Sequence, residues 1–204
     1  MTKIRIGIIA AAFLLLAGLA AFSWYNTLHG PRVTSEADPN GAHIGGPFAL
    51  VDQDGKPVDQ SVLNGKWTAV FFGYTYCPDI CPLTLQSLAR TKAAMGKDGD
   101  KLQIVFITVD PARDTPVNLK AYLASGGFPK GVVGLTGTDA QVAAVEKAYG
   151  VTAIKQPGPN GSYTFSHSAV VYLMDPKGHF NSPLTEDLPP DQSARMIKDT
   201  MRGG

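Results

Sequence analysis

The sequence predicts an α/β fold in which a largely parallel central sheet is covered by helices. Segments with strand-like patterns alternate with segments whose apolar residues have helical spacing, as in folds built from strand–helix–strand units. Two short apolar runs, 68–72 and 103–109, have the pattern of strands buried on both faces. The last two predicted strands are joined only by the turn 175–178, so this edge of the sheet is expected to be antiparallel.

An uncharged apolar segment, residues 6–25, predicts a single transmembrane helix. Its length suits one bilayer crossing, and Trp24 and Tyr25 at its far end are typical of a membrane interface. Lys3 and Arg5 precede it, which places the N-terminus in the cytoplasm and the rest of the chain outside. A cleaved signal peptide is the alternative, but the apolar run is longer than a usual signal core and no Ala-x-Ala site follows.

The organisation that follows is a cytoplasmic N-terminus at 1–5, a polar linker at 26–46 and one soluble domain at 47–204. The N-terminus lacks an Arg- and Ser-rich transit peptide, so we expect a bacterial inner-membrane protein with its domain in the periplasm. Without Lys3 and Arg5 the chain has 16 basic and 17 acidic residues, because the totals are 18 and 17. This balance, with no basic stripe, argues against a nucleic-acid partner.

The soluble domain begins with a predicted β-hairpin, because residues 48–51 and 57–58 flank the turn signal Asp54-Gly55. After strand 68–72, Leu85, Leu88 and Ala89 share one helical face, and this helix is expected to end near Gly96. The remaining predicted elements are a strand at 103–109, a loop at 110–116, a helix with Leu119, Tyr122 and Leu123, a strand at 132–135, a helix from the cap Thr138 to Gly150, a Pro/Gly loop at 156–162, a strand at 168–174, a strand around His179-Phe180, and a helix with Ala194, Ile197 and Met201.

Both cysteines of the chain, Cys77 and Cys81, lie between strand 68–72 and the helix that follows it. A cysteine motif at the end of the first core strand of a mixed, helix-covered sheet is typical of thioredoxin-like architecture. We therefore predict a thioredoxin-like fold with an N-terminal β-hairpin. Two cysteines do not make a disulfide scaffold in a domain of this size, so their placement argues for chemistry.

The spacing of the two cysteines leaves two kinds of chemistry open. Three residues separate Cys77 from Cys81, whereas thioredoxin-type redox motifs have two. Pro78 and Pro82 place the pair in a turn and a first helical turn, where both thiols can point to one side. A helix N-terminus lowers thiol pKa values, and both a soft metal and disulfide exchange need thiolates. An inert buried pair fits less well, because the cysteines lie beside prolines at a strand end.

A soft metal held by two thiolates needs a third ligand, and His167 is the candidate. It stands at the entry to predicted strand 168–174, where thioredoxin-like oxidoreductases have a cis-proline that segment 165–168 lacks. Taken alone, this histidine would more often be a hydrogen-bonded core residue. The other histidines are less suited: His29 and His43 fall in the linker and His179 in a surface turn.

Two thiolates and one imidazole suit copper, because thiolates select Cu(I) and imidazole also accepts Cu(II). A structural zinc site usually has four protein ligands, and no fourth is evident. Four methionines at helix or strand positions are predicted to fill the core: Met95, Met174, Met196 and Met201.

Several residues near the predicted site have supporting roles. Asp110 ends strand 103–109 at the sheet edge where the cysteines lie, and it is expected to cap the loop or to help present the site to a partner. Arg113 and Asp114 are expected to pair with each other. Tyr74 and Tyr76 put rings near the thiols, where they line a docking surface or pack.

Three motifs and two single residues together resemble the SCO/SenC family of membrane-anchored copper proteins. The motifs are Gly-Tyr-Thr-Tyr-Cys-Pro-Asp-Ile-Cys-Pro at 73–82, Asp-Pro-Ala-Arg-Asp-Thr at 110–115 and Val-Gly-Leu-Thr-Gly-Thr at 133–138, and the single residues are Tyr163 and His167. The resemblance extends over residues 47–201. One departure is Ser166, because many relatives have an acidic residue directly before the histidine.

The resemblance implies that Cys77, Cys81 and His167 bind copper as Cu(I), Cu(II) or both. It implies a metallochaperone that delivers copper to the binuclear site of cytochrome c oxidase subunit II. Some relatives instead reduce the cysteines of that site as thiol-disulfide oxidoreductases, and others are tied to redox or copper-stress sensing. A second periplasmic copper chaperone or a thiol reductase would act as a further partner. A peroxidase is disfavoured, because Tyr74 stands where a peroxiredoxin-type site has Thr or Ser.

Overall fold

The computed structural model describes residues 44–125, 127–184 and 188–203, all of them within the compact unit Ala37–Gly204. The predicted anchor at 6–25 and almost all of the predicted linker lie outside these residues. In the part of the chain that is described, none of the helices is long and apolar enough to cross a membrane.

Nine strands and four α-helices make up the described domain. The strands are β1 (Ala49–Asp52), β2 (Pro57–Asp59), β3 (Trp67–Gly73), β4 (Leu102–Thr108), β5 (Val133–Thr136), β6 (Ala153–Pro157), β7 (Tyr163–His167), β8 (Val171–Met174) and β9 (Phe180–Leu184). The helices are α1 (Ile80–Ala94), α2 (Pro116–Leu123), α3 (Asp139–Tyr149) and α4 (Pro190–Gly203). Short 3₁₀ turns at Gln60–Leu63, Gly96–Lys101 and Pro159–Gly161 complete the list.

Seven of the strands form one mixed sheet in the order β2-β1-β5-β4-β3-β8-β9. Strands β3, β4 and β5 are parallel, whereas β8 runs antiparallel to β3 and β9 runs antiparallel to β8. The predicted thioredoxin-like α/β fold with an N-terminal hairpin is therefore confirmed. Gly73 pairs with Thr108 at the ends of β3 and β4, so the loops that leave these strands share one sheet edge.

Every residue of β3 is buried, which indicates that both faces of the sheet are covered at this strand. Helix α1 packs against α4, and α2 packs against β5. Helix α3 begins with a capping box between Thr138 and Gln141 and ends at Gly150, which has a left-handed backbone with φ 64°. The four methionines predicted to fill the core are buried in it or packed against it.

The region before the last two core strands differs from the prediction. Residues 156–162 are not simply a loop, because β6 and β7 form a separate two-stranded antiparallel sheet around the turn at 159–161. His167 pairs with Ala153 at the end of β7, and β8 begins only at Val171, so His167 does not enter the strand predicted at 168–174. The prolines and glycines of this segment form the tip of a hairpin here, with strands on both sides of it.

Candidate metal centre

The loop between β3 and α1 presents both cysteines at the N-terminus of α1. The Cys77 amide donates to the Tyr74 carbonyl at 3.1 Å, which closes a tight turn. Asp79, the cap residue of α1, makes no side-chain capping bond. Instead, the Cys77 Sγ accepts a hydrogen bond from the backbone amide of Cys81 at 3.5 Å. A sulfur therefore occupies the position that a capping oxygen usually takes, where the helix amides stabilise negative charge.

The two sulfurs differ in exposure. Cys81 is fully buried, whereas Cys77 is half-buried, and both are free thiols. Room for the buried sulfur comes from Gly73: a Cβ atom there would lie 2.8 Å from the Cys81 Sγ and 2.9 Å from the Phe106 ring. The absence of a side chain at the end of β3 therefore makes space for one of the candidate ligands.

His167 approaches the sulfurs from the second, smaller sheet. Its Nε2 lies 3.6 Å from the Cys81 Sγ, and its Nδ1 lies 3.0 Å from the Ser168 carbonyl oxygen. A carbonyl can only accept, so Nδ1 carries a proton, and the other ring nitrogen, Nε2, faces the sulfurs. An outer hydrogen bond of this kind is what fixes a histidine as a metal ligand.

The ligand atoms of Cys77, Cys81 and His167 all lie within 4.8 Å of one another. One small ion can contact all three atoms, and the set combines two soft sulfurs with one imidazole. This donor chemistry fits copper better than magnesium or calcium, which prefer oxygen.

The two thiols share one proton unequally. The hydrogen bond from Cys81 lowers the pKa of the Cys77 thiol to about 3, with smaller contributions in the same direction from His167 and from the backbone amides of Cys81 and Asp79. The same hydrogen bond and burial raise the pKa of Cys81. The pair therefore holds one negative charge, located on the more exposed sulfur, and Cys81 keeps its proton as long as Cys77 carries that charge with no cation beside it.

The loop after β4 is built differently from the prediction. Arg113 does not pair with Asp114: its Nε donates to Asp110, and its Nη1 donates to the Tyr163 carbonyl at 3.1 Å. The amides of Arg113 and Asp114 both bond to the Asp110 carbonyl, which makes a helical turn. In such a turn residues three apart face each other and adjacent residues diverge. Asp110 is buried and also accepts the Tyr163 hydroxyl at 3.0 Å, so its side chain supports the loop.

Asp114 is a supporting residue whose role the sequence did not indicate. Its carboxylate accepts hydrogen bonds from the Thr75 amide at 3.0 Å, the Thr75 hydroxyl at 2.6 Å and the Thr108 hydroxyl at 2.6 Å. Burial raises the pKa of this carboxyl. The contact ties the cysteine loop to the end of β4. The feature of the sequence that could have indicated this role is the position of Asp114 four residues after Asp110, on the same turn.

The two tyrosines of the cysteine loop have separate roles. Tyr74 is buried, with its ring 5.8 Å from the His167 ring in an edge-on arrangement. Tyr76 is 62% exposed and lies beside the Arg113 guanidinium, 4.6 Å from ring centroid to Cζ. His179 lies away from these groups, with its ring 3.6 Å from the Asp175 carboxylate, whereas His29 and His43 fall outside the described residues.

Comparisons with known proteins show which family this chain resembles. A protein-family model described as SCO1/SenC matches residues 36–202. Protein SCO2, mitochondrial, of Saccharomyces cerevisiae is 40% identical over 174 residues, covering 82% of this chain and 57% of the yeast protein. The chain thus spans little more than half of that relative.

Two solved structures are also similar. The copper-bound structure of Bradyrhizobium japonicum ScoI shares 47% identity with a TM-score of 0.71, covering 76% of this chain and 98% of that one. BsSco, described as a cytochrome c oxidase assembly protein with a disulfide switch, shares 25% identity with a TM-score of 0.62, covering 81% of this chain and 97% of that one.

Proposed function

The chain belongs to the SCO1/SenC family, and from this premise we propose that it binds copper through Cys77, Cys81 and His167 and delivers it to the binuclear site of cytochrome c oxidase subunit II. The observation that carries the proposal is the convergence of these three ligand atoms within 4.8 Å from two separate parts of the fold. Three protein ligands leave room for a partner's ligand to approach. A closed four-ligand site would hold its metal more permanently.

The unequal burial of the sulfurs suits transfer of a metal. Cys77 is half-buried and Cys81 is fully buried, so an incoming thiolate reaches copper from the Cys77 side. Transfer then proceeds by exchange of ligands one at a time, and copper is never released free. Copper is the cargo in this reaction, and the chain's own residues bind it, orient it and exclude water.

We place this site in the periplasm of a bacterium, where residues 6–25 anchor the chain to the inner membrane. The support is the uncharged length of that segment and the basic residues Lys3 and Arg5 before it. An anchor would confine the donor to the membrane that holds the oxidase. Another periplasmic copper chaperone would load the site, and a thiol reductase would keep its sulfurs reduced.

Copper transfer tests the proposal directly. The full-length chain, purified with detergent and loaded anaerobically, should hold about one Cu(I) per chain, as a single thiolate site predicts. Mixing with the copper-free, reduced copper domain of subunit II should move that copper to the acceptor, measured by metal analysis after separation. A Cys77→Ser variant should neither load fully nor transfer. Retention of all copper by the loaded chain would overturn the delivery proposal.

A thiol-disulfide reductase is the second candidate, favoured by the low pKa of the half-buried Cys77. In that reaction the Cys77 thiolate attacks a disulfide of the partner and releases one partner sulfur as a thiolate. Cys77 is then uncharged in the mixed disulfide, so Cys81 can pass its proton to the released partner thiolate and attack the Cys77 sulfur. This forms an internal disulfide and releases the second partner sulfur as a thiolate, which takes a proton from solvent. Two electrons pass to the partner, and a thiol reductase must restore the pair.

The same pair of proteins separates the two candidates. If the oxidised copper domain gains two free thiols from the copper-free chain, while the loaded chain transfers no copper to the reduced domain, the reductase reading replaces the chaperone reading. His167→Ala should matter less for the reductase rate than for copper binding, because the imidazole is only a secondary cause of the low pKa of Cys77.

A further inference from the structure

His167 is carried by an arm, the hairpin β6–β7, that is not hydrogen-bonded into the main sheet. The backbone of β7 pairs with β6 on one side only. On the other side the backbone groups of Tyr163 and Phe165 face the rest of the domain, where none of the strands within the described residues pairs with them. An unpaired strand edge needs hydrogen-bond partners when it is covered.

The Tyr74 hydroxyl is the main partner of this edge. It lies 2.6 Å from the Thr164 hydroxyl, accepts the Phe165 amide at 3.3 Å and lies 3.5 Å from the Phe165 carbonyl oxygen. The ring below it contacts the Phe165 and His167 rings edge-on, at 5.6 and 5.8 Å. Tyr74 also accepts the Cys77 amide through its own carbonyl. One residue therefore joins the thiol loop to the arm.

A second contact holds the arm nearer its tip. The Arg113 guanidinium donates to the Tyr163 carbonyl and lies 3.8 Å from the Tyr163 ring centroid. Asp110 accepts from both Arg113 and the Tyr163 hydroxyl. This cluster contacts Tyr163, which is farther from His167 along β7 than Thr164 and Phe165 are. Tyr74 therefore contacts the arm closer to His167 than the cluster does.

We propose that Tyr74 is a positioning residue that docks the arm on the thiol loop and thereby sets how firmly His167 joins the two sulfurs. The proposal rests on the copper site proposed above. Two thiolates alone satisfy Cu(I), whereas Cu(II) is better served when the imidazole is added. Loosening the arm should therefore weaken Cu(II) binding more than Cu(I) binding, and the balance between the two oxidation states depends on a residue that is not itself a ligand.

Tyr74→Phe and Tyr149→Phe form a matched pair of variants for the test. Both tyrosines are 1% exposed, but the Tyr149 hydroxyl has no hydrogen-bond partner among the described residues. Each change deletes one buried oxygen and keeps the ring. Only the first removes the hydrogen bonds that hold the arm, so general effects on the core are common to both.

Two measurements on the full-length chain are decisive. In the copper-free protein, the Phe165 amide should exchange with deuterium about fivefold faster in Tyr74→Phe, as the loss of one hydrogen bond predicts, and should be unchanged in Tyr149→Phe. With copper, Tyr74→Phe should lower Cu(II) affinity about tenfold, as loss of an outer contact does, and leave Cu(I) affinity within about twofold.

The outcomes separate this proposal from the one it rests on. If the wild type binds neither Cu(I) nor Cu(II), the copper site itself fails. If the wild type binds both and Tyr74→Phe alters neither exchange nor Cu(II) affinity, the positioning role fails while the site stands. Equal losses of Cu(I) and Cu(II) affinity in both variants would also overturn it, because that pattern reflects a general loss of packing.

Discussion

The Nε2 of His167 lies 3.6 Å from the Sγ of Cys81, although the two residues are 86 positions apart in the chain. The ring is held in this orientation by its Nδ1 bond to the Ser168 carbonyl oxygen. Because the ligand atoms of Cys77, Cys81 and His167 lie within 4.8 Å of one another, little rearrangement is needed to complete a three-ligand site. The imidazole is thus pre-organised as the third ligand, and its removal should be felt mainly by the oxidation state that depends on nitrogen.

Replacing His167 with alanine should abolish tight Cu(II) binding and weaken Cu(I) binding much less. We expect Cu(II) affinity to fall by about 100-fold or more, beyond what loss of an outer-shell partner costs. Competition titrations with chelators specific for each oxidation state measure both effects. His179→Ala is the matched control, because His179 is exposed and its ring pairs with Asp175, away from the three candidate ligands. If His167→Ala binds Cu(II) as tightly as the wild type does, the three-ligand site is wrong.

Cys77 should react with iodoacetamide at a rate that varies little with pH. Its pKa of about 3 keeps it ionised throughout the neutral range, whereas an ordinary thiol speeds up about tenfold per pH unit below its pKa. Mass spectrometry of alkylated peptides at about pH 5 and pH 8 gives the two rates. Cys81→Ala removes the main hydrogen bond to this sulfur, so in that variant the rate should rise with pH. A steep rise in the wild type would contradict the shared-proton arrangement.

The sheet and the three candidate ligands were predicted from apolar runs and motifs that can be recognised in a single sequence. Buried parallel strands such as β3 are continuous apolar runs, and Gly150 marks the end of α3. The hairpin β6–β7 was missed because its strands are mostly exposed or half-buried, which leaves no strong alternation to detect.

The supporting contacts were missed for a different reason. Arg113 and Asp114 are adjacent and opposite in charge, which suggested a pair, but the local turn directs them to different partners. Tyr74 contacts Thr164, a residue 90 positions away. A contact between residues this far apart in sequence can be recognised only once the position of the β6–β7 arm is known.

Asp114→Ala should destabilise the domain by about 2–3 kcal/mol, because it leaves the buried Thr108 hydroxyl and the part-buried amide and hydroxyl of Thr75 without their acceptor. Urea unfolding of variant and wild type measures the difference. Asp98→Ala is the control: Asp98 makes an exposed pair with Lys101, so its loss should change the stability much less than the loss of Asp114. Similar small losses in both variants would show that the Asp114 contact does not brace the cysteine loop.

Glu146→Gln should change how stability depends on pH. Burial raises the pKa of Glu146 from 4.5 to about 7. A carboxyl with a raised pKa contributes stability fully at pH values below 4.5, and this contribution is lost as the pH rises through about 7. The full shift corresponds to about 3 kcal/mol, but the side chain is only half-buried and solvent screens its charge, so we expect about 1 kcal/mol.

Urea unfolding of both proteins at acid and at mildly alkaline pH measures this effect. The Gln variant should gain about 1 kcal/mol over the wild type on going from the acid to the alkaline condition. A difference between the two proteins that stays constant with pH would rule out the buried titration of Glu146.

Gly73→Ala should weaken copper binding by more than its loss of folding stability explains. The new Cβ would lie 2.8 Å from the Cys81 Sγ and 2.9 Å from the Phe106 ring, so the sulfur must move away. A displaced ligand should cost about 10–100-fold in copper affinity, and overpacking should cost about 1–3 kcal/mol of stability. Gly134→Ala is the control, because its Cβ would meet Leu123 at 2.5 Å and Leu119 at 2.9 Å in the core. That variant should lose similar stability in urea unfolding but keep its copper affinity, since the leucines contribute no ligand. If both variants bind copper as the wild type does, the empty space at Gly73 does not set the position of the buried sulfur.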